Sequence, residues 1–186
     1  MRTIDFFPVP FSIGVLMLAV LLFYFRRRTL AYRTGMALFG LYLLAAIGML
    51  FFPLPIPEQW PANLTLQDTR RSLASINWIP FNYDVFTYPG SLRIMLRDIF
   101  ANILLTIPFG FGICFLRPLQ TKQVFLVALA TGLALEGTQL ALKLVLGVYL
   151  HSVDITDVLL NAFGVILGAG FFGAIQLVFQ GNRPQA

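Results

Sequence analysis

The chain has 186 residues, of which 58% are hydrophobic and only 11% are charged, and its mean hydropathy is +0.81. A soluble domain carries about 25% charged residues, and one soluble core of this size could not bury so much apolar surface. This composition excludes an ordinary soluble domain and predicts a small integral membrane protein, with residues 1–186 in a single domain. The net charge of +5 does not indicate nucleic-acid binding, because aromatic residues are not interleaved with a basic stripe.

Five apolar segments have close to the length that a helix needs to cross a bilayer, about 20 residues. Charges follow the first segment at Arg26–Arg28, and no small-residue cleavage site comes after it, which favours a retained helix over a signal peptide. We therefore predict an all-α polytopic membrane bundle, with a two-span N-terminal region over residues 1–53. The predicted spans cover residues 6–25, 35–52, 99–116, 123–149 and 155–179.

Basic residues indicate how the bundle is oriented. Arg26–Arg28 and Arg33 lie between the first two spans, Arg117 and Lys122 lie between the third and fourth, and Arg183 lies in the tail. With five spans, all of these residues are on one side, and the positive-inside rule places that side in the cytoplasm. We expect an extracytoplasmic N-terminus and a cytoplasmic C-terminus.

The connection over residues 53–98 is the longest in the chain and lies outside in this orientation. The stretch Leu92–Phe100 alternates apolar and charged residues at helical spacing, which predicts a short interfacial helix leading into the third span. The connection also contains four aromatic residues of the kind that favour the lipid headgroup level. They are Trp60, Trp78, Tyr83 and Tyr88.

Acidic and amide side chains recur at helical spacing in the last three spans. Residues three or four positions apart lie on the same face of a helix, so each set forms one stripe. Ionisable groups at membrane depth cost several kcal/mol unless they are paired or hydrated, which favours a buried functional site. The stripes are Asp98 and Asn102; Glu136, Gln139 and Lys143; and Asp154, Asp157 and Asn161.

All three stripes lie in the outer half of the predicted membrane region, so we expect them to meet in one water-accessible cavity. Their chemistry suits a pocket for a polar headgroup, a hard-cation site, or a carboxylate pair acting as acid and base. Lys143 and His151 are candidate positive partners. Structural explanations also exist, because amides bond between helices and carboxylates cap helix N-termini. Glu136 has the least evident structural reason to lie mid-span.

Four motifs occur in a fixed order: NWIPF from Asn77, DIFANILLTIPFG from Asp98, EGTQ from Glu136 and HSVDITDVLLNAFGVILG from His151. Together they resemble the VanZ-like family of bacterial membrane proteins, and the resemblance covers residues 77–168. Many family members carry an arginine where this chain has His151, and histidine is charged only near or below pH ~6.5. The matching positions are Asn77, Pro80 and Phe81; Asp98, Asn102, Pro108 and Gly110; Glu136 and Gln139; and Asp154, Asp157, Asn161 and Gly164.

The resemblance implies a protein of the bacterial cytoplasmic membrane, in contact with membrane lipids. The family is named for a protein associated with resistance to teicoplanin, a glycopeptide with a lipid tail. From the clustering of acidic and amide groups beneath the aromatic-rich outer connection, we expect binding of an amphipathic ligand, either a lipid-linked cell-wall intermediate or a lipoglycopeptide. The expected binding residues are the seven stripe residues other than Lys143. Asn77, Lys143 and His151 are secondary candidates. The alternative is an enzyme that acts on a lipid or polyprenyl phosphate with carboxylates and a divalent metal. We find no sequence sign of an organic cofactor.

Overall fold

The computed structural model describes residues 2–56, 66–83, 91–146 and 153–181. Within these residues the chain forms six helices and two three-residue strands, so the predicted all-α helical membrane bundle is confirmed. His151, Trp60 and Tyr88, which the sequence singled out, lie outside the described residues. The elements are β1 (Arg2–Ile4), α1 (Val9–Tyr24), α2 (Leu30–Phe51), β2 (Leu54–Ile56), α3 (Leu66–Ala74), α4 (Ser91–Leu116), α5 (Thr121–Leu146) and α6 (Ile155–Gly181).

Four of the described helices, α2, α4, α5 and α6, are long and apolar enough to cross a membrane. The first predicted span is a shorter helix than expected, because α1 has 16 residues, or about 24 Å at 1.5 Å per residue. α1 lies antiparallel to α2, since Phe6 contacts Gly48 and Leu18 contacts Gly40. The antiparallel strand pair β1–β2 closes the open end of this hairpin.

Helix direction gives the bundle two chemically different ends. α2 runs antiparallel to α4, because the ring of Tyr32 stacks on Phe115 near the start of α2 and the end of α4. α4 and α6 run parallel, since Gly164 lies against Ile103 and Gly168 against Ile107. α5 packs on α6 and runs antiparallel to it. Arg26–Arg28 and Arg117 therefore share one end, here called the basic end. Asp98 lies at the opposite end, here called the polar end.

The core consists of α6 packed on α4 and, over a smaller contact, on α5. Glycines make these contacts close. A Cβ atom added at Gly168 would lie 2.0 Å from the carbonyl oxygen of Ile107, and one at Gly110 would lie 2.0 Å from that of Val165. Small residues allow helix backbones to approach in this way in lipid. The glycines that extend the α6 stripe are thus the contact surface with α4.

The short helix of the outer connection is not where the sequence placed it. Leu92–Phe100 belongs to the first turns of α4, which continues without interruption from Ser91 to Leu116. No helix-breaking residue separates the amphipathic stretch from the apolar one, so the two form a single helix. Within the described part of the outer connection, the short helix is α3, which covers Leu66–Ala74.

Candidate functional site

Asn77 ties the loop after α3 to the start of α6. Its side-chain amide donates a hydrogen bond to Asp154 Oδ2 at 2.9 Å. Its backbone N–H donates to the carbonyl oxygen of Val153, and its own carbonyl oxygen accepts from the N–H of Ile155, both at 3.0 Å. These three bonds place Asn77 as a positioning residue at the polar end.

Asp154 and Asp157 play different parts, although both lie at the start of α6. Asp154 Oδ1 accepts a hydrogen bond from the backbone N–H of Thr156 at 2.7 Å, which is the geometry of a helix N-cap. Asp157 is one turn further along and accepts instead from α4. The capping explanation therefore accounts for Asp154 and leaves Asp157 to the polar network described next.

Asp157, Asn102 and Asn161 form a hydrogen-bonded chain between α4 and α6. The Asn102 amide nitrogen donates to Asp157 Oδ1 at 2.6 Å and to the carbonyl oxygen of Asp98 at 3.1 Å. The Asn161 amide nitrogen in turn donates to Asn102 Oδ1 at 3.4 Å. Asn161 is only 2% exposed, so this chain of polar groups runs from the helix start into the packed core.

Glu136 joins α5 to the same region. It is 4% exposed, and its Oε2 accepts a hydrogen bond from the backbone N–H of Asp154 at 3.3 Å. A buried polar group needs such a partner because the alternative is an unsatisfied group in a low-dielectric environment. Side chains from α4, α5 and α6, together with Asn77, thus interact around the first turn of α6.

The remaining predicted residues lie around this centre. Asp98 pairs with Arg97 at 3.0 Å at the surface, where the two side chains are 42% and 74% exposed. Lys143 is buried, and its Nζ donates to Ser75 Oγ at 2.6 Å, so it holds the segment that follows α3 against α5. Gln139 is half-buried on the same helix.

Two contributors were not identified as site residues from the sequence, Thr156 and Tyr83. Thr156 is buried, and its hydroxyl oxygen accepts from the N–H of Phe81 at 3.0 Å. Phe81 has a positive φ of 57°, so this bond holds a backbone conformation that a non-glycine residue seldom adopts. The aromatic-rich NWIPF motif gave a partial signal, but it could not indicate Thr156 as the partner.

The pKa of the Tyr83 phenol depends on the charges at the polar end. Burial raises the pKa of its phenol above the ordinary value. The negative charges of Asp157, Asp154 and Asp98 raise the pKa of this phenol further. The three carboxylates therefore contribute to the electrostatic environment of this one side chain.

The model of the VanZ/LLP1 family matches residues 39–176, well over half of the chain. The chain belongs to the VanZ-like family. No curated protein and no solved structure matches it. The matched range contains the whole motif region of residues 77–168 and extends it to include the second half of α2 and most of α6.

The polar residues of this VanZ-like protein offer oxygen atoms and amide groups as ligands. Among residues 2–56, 66–83, 91–146 and 153–181, no group of three His, Cys, Asp or Glu side chains is arranged to hold a metal ion. The described groups are instead linked through amides and backbone N–H groups. Such an arrangement can bind a ligand that exchanges hydrogen bonds with carboxylates and amides.

Proposed function

We propose that this VanZ-like membrane protein binds an amphipathic ligand at its polar end, in the outer leaflet of the bacterial cytoplasmic membrane. The ligand is a lipid-linked cell-wall intermediate or a lipoglycopeptide such as teicoplanin. Through this binding the protein contributes to resistance to glycopeptide antibiotics. The polar candidates are those predicted from the sequence: Asp98, Asn102, Glu136, Gln139, Asp154, Asp157 and Asn161.

One observation carries the proposal, the joining of three polar stripes at one end of the bundle. Asn102 bonds to Asp157 between α4 and α6, and Glu136 bonds to the backbone of Asp154 between α5 and α6. Structural amides in membrane helices need only pairwise partners. Four carboxylates at one end of the bundle are more than the association of helices requires. They can accept hydrogen bonds from the N–H and O–H groups of peptide and sugar headgroups.

An apolar surface beside the polar groups supports an amphipathic ligand rather than a wholly polar one. Trp78, Ile79 and Phe81 are all exposed. Asn77 and Thr156 fix this loop on the first turn of α6 through hydrogen bonds. The headgroup of a ligand would lie against carboxylates and amides, while its hydrocarbon part would lie against this loop and the surrounding lipid.

The distribution of basic residues supports an outward position for the polar end. Arg26–Arg28 and Arg117 lie in short connections at the opposite, basic end, and basic residues in short connections favour the cytoplasmic side. The polar end then faces the outer leaflet, where lipid-linked cell-wall intermediates are used and where glycopeptides arrive.

The proposal is tested by measuring teicoplanin binding to the full-length protein in lipid nanodiscs. We expect Glu136→Ala to weaken binding by about tenfold or more, since one lost charge-assisted hydrogen bond corresponds to about 1.5–3 kcal/mol. Teicoplanin without its acyl chain should also bind more weakly than the intact molecule. Circular dichroism and size-exclusion chromatography establish that the variant inserts and folds.

The matched control is Asp5→Asn, which removes an exposed carboxylate outside the predicted site. It should bind teicoplanin as the wild type does. Equal affinity of wild type and Glu136→Ala for teicoplanin and for a polyprenyl-diphosphate lipid would refute the proposal. The alternative, an enzyme that acts on a lipid or polyprenyl phosphate with carboxylates and a divalent metal, predicts turnover of such a lipid that falls when divalent metal is chelated.

A further inference from the structure

The orientation of two buried amides at the polar end follows from the carboxylate beside them. Asp157 accepts a hydrogen bond, so Asn102 must present its amide nitrogen to it. The second N–H of that nitrogen goes to the carbonyl oxygen of Asp98, which leaves Asn102 Oδ1 as an acceptor. Asn161 must then present its own amide nitrogen to Asn102.

This chain of donors ends on an acceptor that has no donor. Asn161 Oδ1 is fully buried and has no hydrogen-bond partner among the described residues. The hydroxyl of Thr106, one turn after Asn102 on α4, donates instead to the carbonyl oxygen of Asn102 at 2.9 Å. A buried acceptor left in this way is unfavourable, and a bound water or ion is one explanation for it in native proteins.

A carboxylate close to Asn161 along the helix selects the kind of ligand, since Asp157 lies one turn earlier on the same face of α6. The bond that Asp157 accepts comes from a neutral amide, which leaves its negative charge uncompensated by that contact. Arg97 is paired with Asp98 at the surface. Carboxylate and amide oxygens therefore accumulate here, and an anion would be repelled. A cation would both supply the missing partner and compensate the charge.

We infer that Asp157 and Asn161 bind a monovalent cation, either a sodium ion or the primary ammonium group of a ligand. Both bind through carboxylate and amide oxygens, sodium by coordination and ammonium by its three N–H donors. If the cation is an ammonium group, the inference rests on the proposed function, because that ammonium group then belongs to the amphipathic ligand.

The test is the thermal unfolding of the full-length protein in nanodiscs at constant ionic strength. Sodium chloride or methylammonium chloride replaces choline chloride, whose cation is bulky and has no N–H donor. We expect a saturable rise in melting temperature of about 5–10 °C at a cation concentration near 100 times the dissociation constant. A rise with sodium alone identifies a metal-ion site, and a rise with methylammonium alone identifies an ammonium site.

Substitutions locate the effect. Asp157→Asn and Asn161→Leu should lose the rise in melting temperature, while Asp5→Asn should keep it. Asn161→Asp adds a charge and should increase the apparent affinity for the cation by about tenfold. If Asp157→Asn does not fold, Asn161→Asp still tests the inference. The inference is contradicted if the melting temperature of Asn161→Asp responds to the cation as that of the wild type does.

The inference is overturned if neither sodium nor methylammonium changes the melting temperature, or if Asp157→Asn responds as the wild type does. Its failure is separable from that of the proposed function. Cation independence together with weaker teicoplanin binding in Glu136→Ala rejects the cation site alone. A sodium effect in a protein that does not bind teicoplanin rejects the amphipathic ligand alone.

Discussion

The N-terminal hairpin and the α4–α5–α6 core are both apolar helices side by side, but they are held together differently. In the hairpin, flexible side chains contact glycines, such as Leu18 against Gly40. In the core, backbone contacts backbone, as at Gly168 and Ile107. Because lipid is as apolar as leucine, helix association in a membrane depends on close packing and on hydrogen bonds between helices. The core has close backbone packing and polar side-chain bonds, whereas between its helices the hairpin has apolar side-chain contacts, with the β1–β2 strand pair at its open end.

The family match follows this difference. It begins at residue 39, inside α2, and so leaves out α1 and the first part of α2. The candidate polar residues all lie in the part that it covers, from Asn77 to Asn161. The closely packed half of the molecule is thus the half that carries both the family motifs and the candidate site.

The largest loss of stability is expected for Gly168→Ala in the core. The new methyl group would lie 2.0 Å from a backbone oxygen of α4, which cannot move without displacing the helix. We expect a loss of about 3 kcal/mol in the free energy of unfolding, at the upper end for overpacked cores. Unfolding by SDS in mixed micelles measures this loss.

Two controls show whether the cause is close backbone contact. Gly170→Ala on the same helix meets no atom within 4 Å, so it should unfold as the wild type does. Gly40→Ala in the hairpin meets only the movable end of Leu18 and should cost less than about 1 kcal/mol. If Gly40→Ala and Gly168→Ala cost the same, the contrast between hairpin and core is wrong.

A smaller effect is expected for Asn77→Ala at the edge of the core. The substitution removes the 2.9 Å hydrogen bond to Asp154, and hydrogen bonds to charged groups contribute about 1.5–3 kcal/mol. We expect faster hydrogen exchange at the N–H of Ile155 and Phe81, measured by mass spectrometry of peptides that cover the loop and the start of α6. Unchanged exchange there would show that Asn77 does not position this loop.

The smallest effect concerns Tyr83 and appears only at alkaline pH. Its phenol has a raised pKa in the folded protein, so ionisation favours the unfolded state and stability should fall as the pH rises above about 10. Absorbance at 295 nm, compared between wild type and Tyr83→Phe, follows this phenol. Asp157→Asn should lower its pKa. A phenol that titrates at the ordinary value in the wild type contradicts the shared acidic environment.

The sequence predicted the features that depend on local pattern. Apolar length identified the spans, and spacings of three and four placed Asp157 and Asn161 on one face of α6. It did not predict that Leu92–Phe100 and the third span form one helix, because the change from an amphipathic to an apolar pattern suggested two separate segments. Nor did it identify Thr156 as a partner of Phe81, because the two are far apart in the chain and no periodicity connects them.

Glu136 and its hydrogen-bond donor are made at different times during translation. The glutamate on α5 is synthesised 18 residues before the Asp154 N–H that it accepts from. Until that amide arrives, the membrane would hold a carboxyl group with no donor, so we expect α5 and α6 to insert as a pair. Nascent chains arrested before Asp154 should leave α5 accessible to aqueous labelling, and chains that include α6 should protect it.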